Sequence, residues 1–371
     1  MHEMTPRERL LATAAFEPVD RPVHNEAIGY WPETLRRWHS EGLPPEINED
    51  VSAYIYFGYD LQLPLAIGAH EHPGLDPVFD EEIVEGDEHF VVKRDMSGSI
   101  VRVMSDGMST IPAWLSSPVS DRESWEKIKG RLDPETPGRL AMLQPILDIL
   151  GDQPLPLCLY IPGLFGTHRH LLGFQPLMIA YRRQPELLHE ISRHWVLLWK
   201  RVVEKVCELR RPDMVSLWED MCYRNGPMIG PKAFEELMSP YYRELIGSLK
   251  QDLGVPIIGV DTDGDCTLLL PKYVDAGVNM IWPWEVQAGM DVLEVRKAWP
   301  REFVIWGGMD KRKLALDRKA VRNEVERVVP PMLAQRGYVP AIDHSVPPDV
   351  PLENWRYFLD LVRGQGMAAG A

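Results

Sequence analysis

A chain of 371 residues with 45% hydrophobic content can bury one large core or two ordinary ones, and its net charge of −15 argues against nucleic acid and anionic membrane as partners. Its four cysteines (Cys158, Cys207, Cys222 and Cys266) are far apart with no Cys-x-x-Cys, which speaks against a disulfide framework and an all-cysteine zinc site. No apolar run is long enough to span a bilayer and no secretory leader is visible, so a cytoplasmic setting is expected.

Thr5-Pro-Arg-Glu8 is a capping box with proline at the first helical position, and it predicts a helix to Phe16. Residues 21–29 read as a first strand, and 31–41 as a helix stopped by Gly42. Residues 51–65 are a second apolar segment, counted as the second strand, with Asp60 where it breaks. Residues 81–105 alternate apolar and polar side chains between glycine-containing turns, the pattern of an inserted antiparallel meander. A short helix is expected near 121–128 and another at 138–150. Strands then follow at 155–161, 213–218, 255–260, 278–282, 303–306 and 338–342. Helices at 175–182, 185–209, 231–252, 266–276, 292–298, 318–335 and 352–363 alternate with them. Eight strand units with helical connections favour an α/β fold of the (β/α)8 TIM-barrel type, spanning residues 1–371 as one domain with the β insertion at about 81–105. No Gly-x-Gly-x-x-Gly opens a helix, so a dinucleotide site is not supported.

The most informative stretch is Val255-Pro-Ile-Ile-Gly-Val-Asp-Thr-Asp-Gly-Asp-Cys266, a buried strand that ends in acid. Asp261 and Asp263 lie two apart and face the same side of an extended chain. Like-sided carboxylates are costly without a metal, a cationic substrate, an arginine or a shared proton between them. Asp265 reads as a helix cap. In a barrel, the C-terminal strand ends converge on one mouth. That places Asp60, Glu219, Asp220, Asp261, Asp263, Glu285, Asp310, Asp343 and His344 together. His168 and His170 read as surface loop histidines. Trp282 and Trp284 fill the barrel rim as readily as they stack on a flat ligand. Arg182-Arg183 and Lys311-Arg312-Lys313 read as solvated faces.

At this point the chain resembles the uroporphyrinogen decarboxylase superfamily, which holds both decarboxylases and cobalamin-dependent methyltransferases. The resemblance rests on Thr5-Pro-Arg-Glu-Arg, on Phe57-Gly-Tyr-Asp60 with Pro64 and Gly68, and on Ile281 to Asp291. Trp306-Gly-Gly-Met-Asp310, and Ile342-Asp-His344 followed by Pro347-Pro348 and Glu353-Asn354, complete it. Where the decarboxylases carry an arginine-rich loop for tetrapyrrole carboxylates, this chain has Asn25-Glu-Ala-Ile-Gly-Tyr30, which disfavours a polycarboxylate. The resemblance implies a site for zinc or another divalent metal at Asp261, Asp263 and His344. Glu219 then stands nearby as a fourth ligand or a base, and Asp60, Glu219 and Asp310 are the candidate catalytic residues. The implied reaction moves a methyl group from a small oxygen-bearing substrate to a corrinoid on a partner protein or to a free cobamide, since Asp-x-His-x-x-Gly is absent from the chain. Decarboxylation of a carboxylic acid is the alternative, with Asp60 stabilising positive charge. A non-enzymatic binding role is a third class, and relatives of the superfamily lead one to expect a homodimer.

Overall fold

Seven parallel strands form the centre of the fold, in a computed structural model that describes residues 3–68, 71–105 and 112–368. In chain order β1 is Leu63–Ala66, followed by β2 Glu82–Gly86, β3 Phe90–Arg94, β4 Ile100–Met104 and β5 Ala113–Ser116. Then come β6 Leu157–Pro162, β7 Met214–Trp218, β8 Cys222–Tyr223, β9 Gly226–Pro227, β10 Ile257–Thr262, β11 Met280–Pro283, β12 Val304–Trp306 and β13 Tyr338–Val339. The parallel sheet runs β1-β6-β7-β10-β11-β12-β13, so each strand lies beside its predecessor in the barrel series. The architecture is the (β/α)8 TIM barrel. Its eighth position is taken by the segment around 22–30, which makes no regular ladder. There the His24 carbonyl accepts from the Asp60 N–H at 2.8 Å on the β1 side, and Tyr30 bridges in parallel to Val346 on the other. Strands β2 to β5 form the separate antiparallel sheet, which runs on to Ser116, past the predicted meander. No described helix is long and apolar enough to cross a membrane.

Two departures from the predicted elements bear on the site. Residues 51–65 are not one strand: Asp50–Tyr56 is a helix, and β1 starts only at Leu63. The spacing explains it, since Ala53 and Phe57 are buried four apart while Val51 and Ile55 face solvent. Asp60 therefore precedes its strand instead of following it. The second departure is the helix Leu164–Leu172, in a stretch read as loop, whose nine residues are all buried. With no polar face it has no amphipathic period to detect.

The barrel interior is filled by Cys158, Met214, Ile257, Met280, Trp282, Val304, Trp306 and Val339, closed below by Leu10 and Val23. Trp282 and Trp306 pack at 5.3 Å between ring centroids. Gly259 on β10 makes this possible, because a Cβ there would lie 2.5 Å from the Trp282 ring. Trp284 faces the outer core, stacked on Phe303 at 5.6 Å. Both tryptophans are packing residues.

Candidate active site

The ends of β10, β11 and β13 bring Asp263, Glu285 and His344 together. One donor atom from each lies within 4.8 Å of the others, and no other metal-type group of three forms among the described residues. His344 Nε2 is 3.4 Å from Asp263 Oδ2. His344 Nδ1 accepts the Ser345 N–H at 2.8 Å, which puts the ring proton on Nε2, facing the carboxylate. Burial opposes charging of this ring, but the hydrogen bond and charge of Asp263 outweigh it and raise the His344 pKa. Glu285 is oriented by the Gly264 N–H, 3.0 Å from its Oε2, so the turn after β10 fixes two of the three groups at once. Lys311 Nζ stands 3.7 Å from Glu285 Oε1 and 4.0 Å from Asp343 Oδ1, with a side chain only 13% exposed. It belongs to the site and not to the solvated face expected of Lys311-Arg312-Lys313. Asp343 is fully buried and accepts the Lys311 and Val286 N–H groups at 3.0 and 2.9 Å, bracing the β11 and β12 loops.

The expected set of Asp261, Asp263 and His344 is thus brought together in part, with Glu285 in place of Asp261. Asp261 sits one pleat deeper, between Trp218 and Trp282 in register. Burial first, then the charges of Asp263 and Asp220, hold its carboxyl well above the carboxylate range. Asp220 is raised to about 6 by burial, against the pull of Arg169.

Glu219 has a different task. It is fully buried, and its two oxygens accept the Leu164 and Phe165 N–H groups at 2.7 and 2.9 Å, at the N-terminus of the helix Leu164–Leu172. Gly163 permits this, since a Cβ there would fall 2.2 Å from Glu219 Oε1. Burial outweighs these bonds and raises the Glu219 pKa to about 8, from 4.5. The folded chain then holds a proton that the unfolded chain releases, so this group's stabilisation is lost as pH rises from 4.5 toward 8. We expect the urea midpoint to fall between pH 5 and pH 8, and Glu219→Gln to flatten that fall. An unchanged slope in the variant would show that Glu219 does not carry the proton.

The remaining predicted residues lie elsewhere or do other work. Asp60, expected at the mouth, is at the opposite end of the barrel because it precedes β1. Its carboxylate accepts from Arg9 Nη1 at 2.6 Å, Arg21 Nη1 and Nη2 at 2.7 and 2.8 Å, and the His24 N–H at 2.8 Å. Asp310 caps the helix Lys311–Leu314 through the Arg312 N–H and pairs with the Arg312 guanidinium at 2.8 Å. Burial works to raise its pKa, but the Arg312 contacts prevail and lower it. Asp265 accepts the Thr267 N–H at 3.0 Å, a turn role in keeping with its reading as a cap. His168 and His170 are not surface residues. His168 bonds Ser192 at 3.2 Å, with burial lowering its pKa to about 3, and His170 lies against Trp218 at 5.5 Å.

The comparisons with known proteins agree with this architecture. The family described as Uroporphyrinogen decarboxylase (URO-D) matches residues 101–365. The chain belongs to the uroporphyrinogen decarboxylase family. A uroporphyrinogen decarboxylase of Thermus thermophilus is 23% identical over 261 residues, 67% of this chain and 71% of the relative. One from Syntrophotalea carbinolica is 25% identical over 214 residues, 57% of each chain. A solved methyltransferase from Methanosarcina mazei superposes with a TM-score of 0.63 at 14% identity, over 97% of this chain and 98% of that one. The likeness to the methyltransferase is one of fold. In the position where the family resemblance leads one to expect arginines, this member buries Glu26, whose Oε2 accepts the Ile342 N–H at 3.3 Å.

Proposed function

We propose that this chain is a metal-dependent methyltransferase that takes a methyl group from a small oxygen-bearing substrate and passes it to a corrinoid, on a partner protein or as a free cobamide. The observation that carries the reading is the convergence of Asp263, Glu285 and His344 at the mouth. Two carboxylate oxygens and an imidazole nitrogen suit zinc or a harder divalent ion. Such an ion supplies Lewis acidity toward a bound ether or hydroxyl oxygen. His344 would hold such an ion through Nε2, and would then give up the Ser345 N–H and carry its proton on Nδ1. Lys311 Nζ, beside Glu285, holds the proton that a departing oxygen needs. Asp343 fixes the backbone from which Lys311 projects.

Elemental analysis of the purified, chelator-washed protein tests this reading. About one equivalent of zinc or another divalent metal per chain is expected. A folded protein with no metal, and none taken up on titration, would sink it. Decarboxylation of a small carboxylic acid would then come first. The His344 proton aimed at Asp263, with Lys311 alongside, is a ready donor to a developing carbanion.

A further inference from the structure

Next to the mouth lies a cavity of about 800 Å³ that the metal-site reading leaves unassigned. Its size falls within the range of small-molecule sites, about 300–1,000 Å³. Trp114 and Leu115 of β5 form one wall, Phe174 a second, and Tyr223 and Met228, on and just beyond the β8–β9 hairpin, a third. Among the described lining residues Arg169 is the one charged side chain. The hairpin is tied to the metal-type cluster, because the Asp265 N–H donates to the Tyr223 carbonyl at 3.0 Å and a Cβ on Gly264 would meet the Cys222 backbone at 2.6 Å.

Arg169 is built in, not draped over the surface. Its side chain is 9% exposed, its guanidinium lies 4.6 Å above the Trp218 ring, and Nη1 donates to Asp220 Oδ2 at 3.0 Å. Its Nε is buried and makes no hydrogen bond. A buried donor left unmatched is costly, and a guanidinium edge matches a planar carboxylate with two parallel bonds. On its other side Asp220 feels the charges of Asp263 and His344, so Arg169 sits one residue away from the cluster. Aromatic and apolar walls call for a flat apolar body. Asp220 already takes Nη1, which leaves the Nε edge of the guanidinium to match one further planar acceptor.

We infer that this cavity binds an aromatic monocarboxylate, with the ring between Trp114, Phe174 and Tyr223 and the carboxylate on Arg169. The inference rests on the enzymatic reading of the mouth for its meaning as a substrate site, but its test needs neither metal nor corrinoid.

Calorimetric titration of the metal-free protein with benzoate, benzyl alcohol and benzene-1,3,5-tricarboxylate decides it. Benzoate is expected to bind at least about ten-fold more tightly than benzyl alcohol, the scale of one charge-assisted bond. The tricarboxylate should gain nothing over benzoate. Arg169→Lys, which keeps the charge and loses the planar fork, should weaken benzoate about ten-fold and leave benzyl alcohol unchanged. Met228→Trp, which fills the cavity, should abolish both, and it decides the matter if the Arg169 variant does not fold. Equal affinity for benzoate and benzyl alcohol, no benzoate binding, or undiminished binding in Met228→Trp would overturn the inference. Benzoate binding in a protein that takes up no metal would refute the methyltransferase reading and leave this one standing.

Discussion

Asp60→Ala is expected to lower the stability of the fold by about 3 kcal/mol, the cost of breaking a buried ion pair by removing one partner. Asp60 is the hub between the N-terminal helix Pro6–Ala14 and the barrel floor. Arg9, with a side chain 1% exposed, reaches both Asp60 at 2.6 Å and Asp20 at 2.8 Å. Without Asp60 it keeps Asp20 and the Met4 carbonyl, and its Nη1 stays buried without a partner. Arg21, 33% exposed, can turn to water and loses less. The variant should therefore unfold at lower urea while folded protein keeps its metal content and turnover per molecule. A loss of turnover at unchanged stability would return Asp60 to the catalytic residues that the family resemblance suggested.

The Asp60 case shows where sequence reasoning reaches its limit. Strand and helix periods carried most of the barrel, because buried parallel strands such as Ile257–Thr262 are continuous apolar runs and the covering helices are amphipathic. Direction along the barrel was harder to read. Asp60 follows an apolar segment, but that segment is a helix, and an acid after a helix is at the other end from an acid after a strand. The mouth acids of β7, β10, β11 and β13 were legible for the opposite reason: each lies at the end of a strand whose period was clear, or within four residues of it. Glu285 was among them but unranked, since only the loop geometry that sets it against Gly264 singles it out. Arg169 and Lys311 were hidden by their neighbours in sequence. Arg169 lies in a helix buried on all sides, and Lys311 lies in a basic triplet whose other two members pair or face outward.

Asp261 and Glu285 offer the sharpest contrast at the site. Glu285→Ala should lose its metal and at least about 100-fold in turnover, because disturbing even the outer partners of a metal ligand costs 10–100-fold. Asp261→Ala should keep the metal, since Asp261 lies outside the converging group and burial disfavours its charged form. Asp263→Ala and His344→Ala should follow Glu285→Ala, and in the Glu285 variant the Lys311 ammonium also loses the carboxylate that lies 3.7 Å from it. The measurement is metal content by elemental analysis beside turnover on the same preparations, with a urea midpoint for each variant to separate misfolding from loss of a ligand. If Asp261→Ala loses the metal and Glu285→Ala keeps it, the ion sits one pleat deeper in the barrel. The donors would then be the pair that face the same side of β10, with Glu285 acting on Lys311 and the Gly264 turn alone. If all four variants keep full metal and turnover, neither the ion nor the reaction depends on this cluster, and the metal-site reading of the mouth fails.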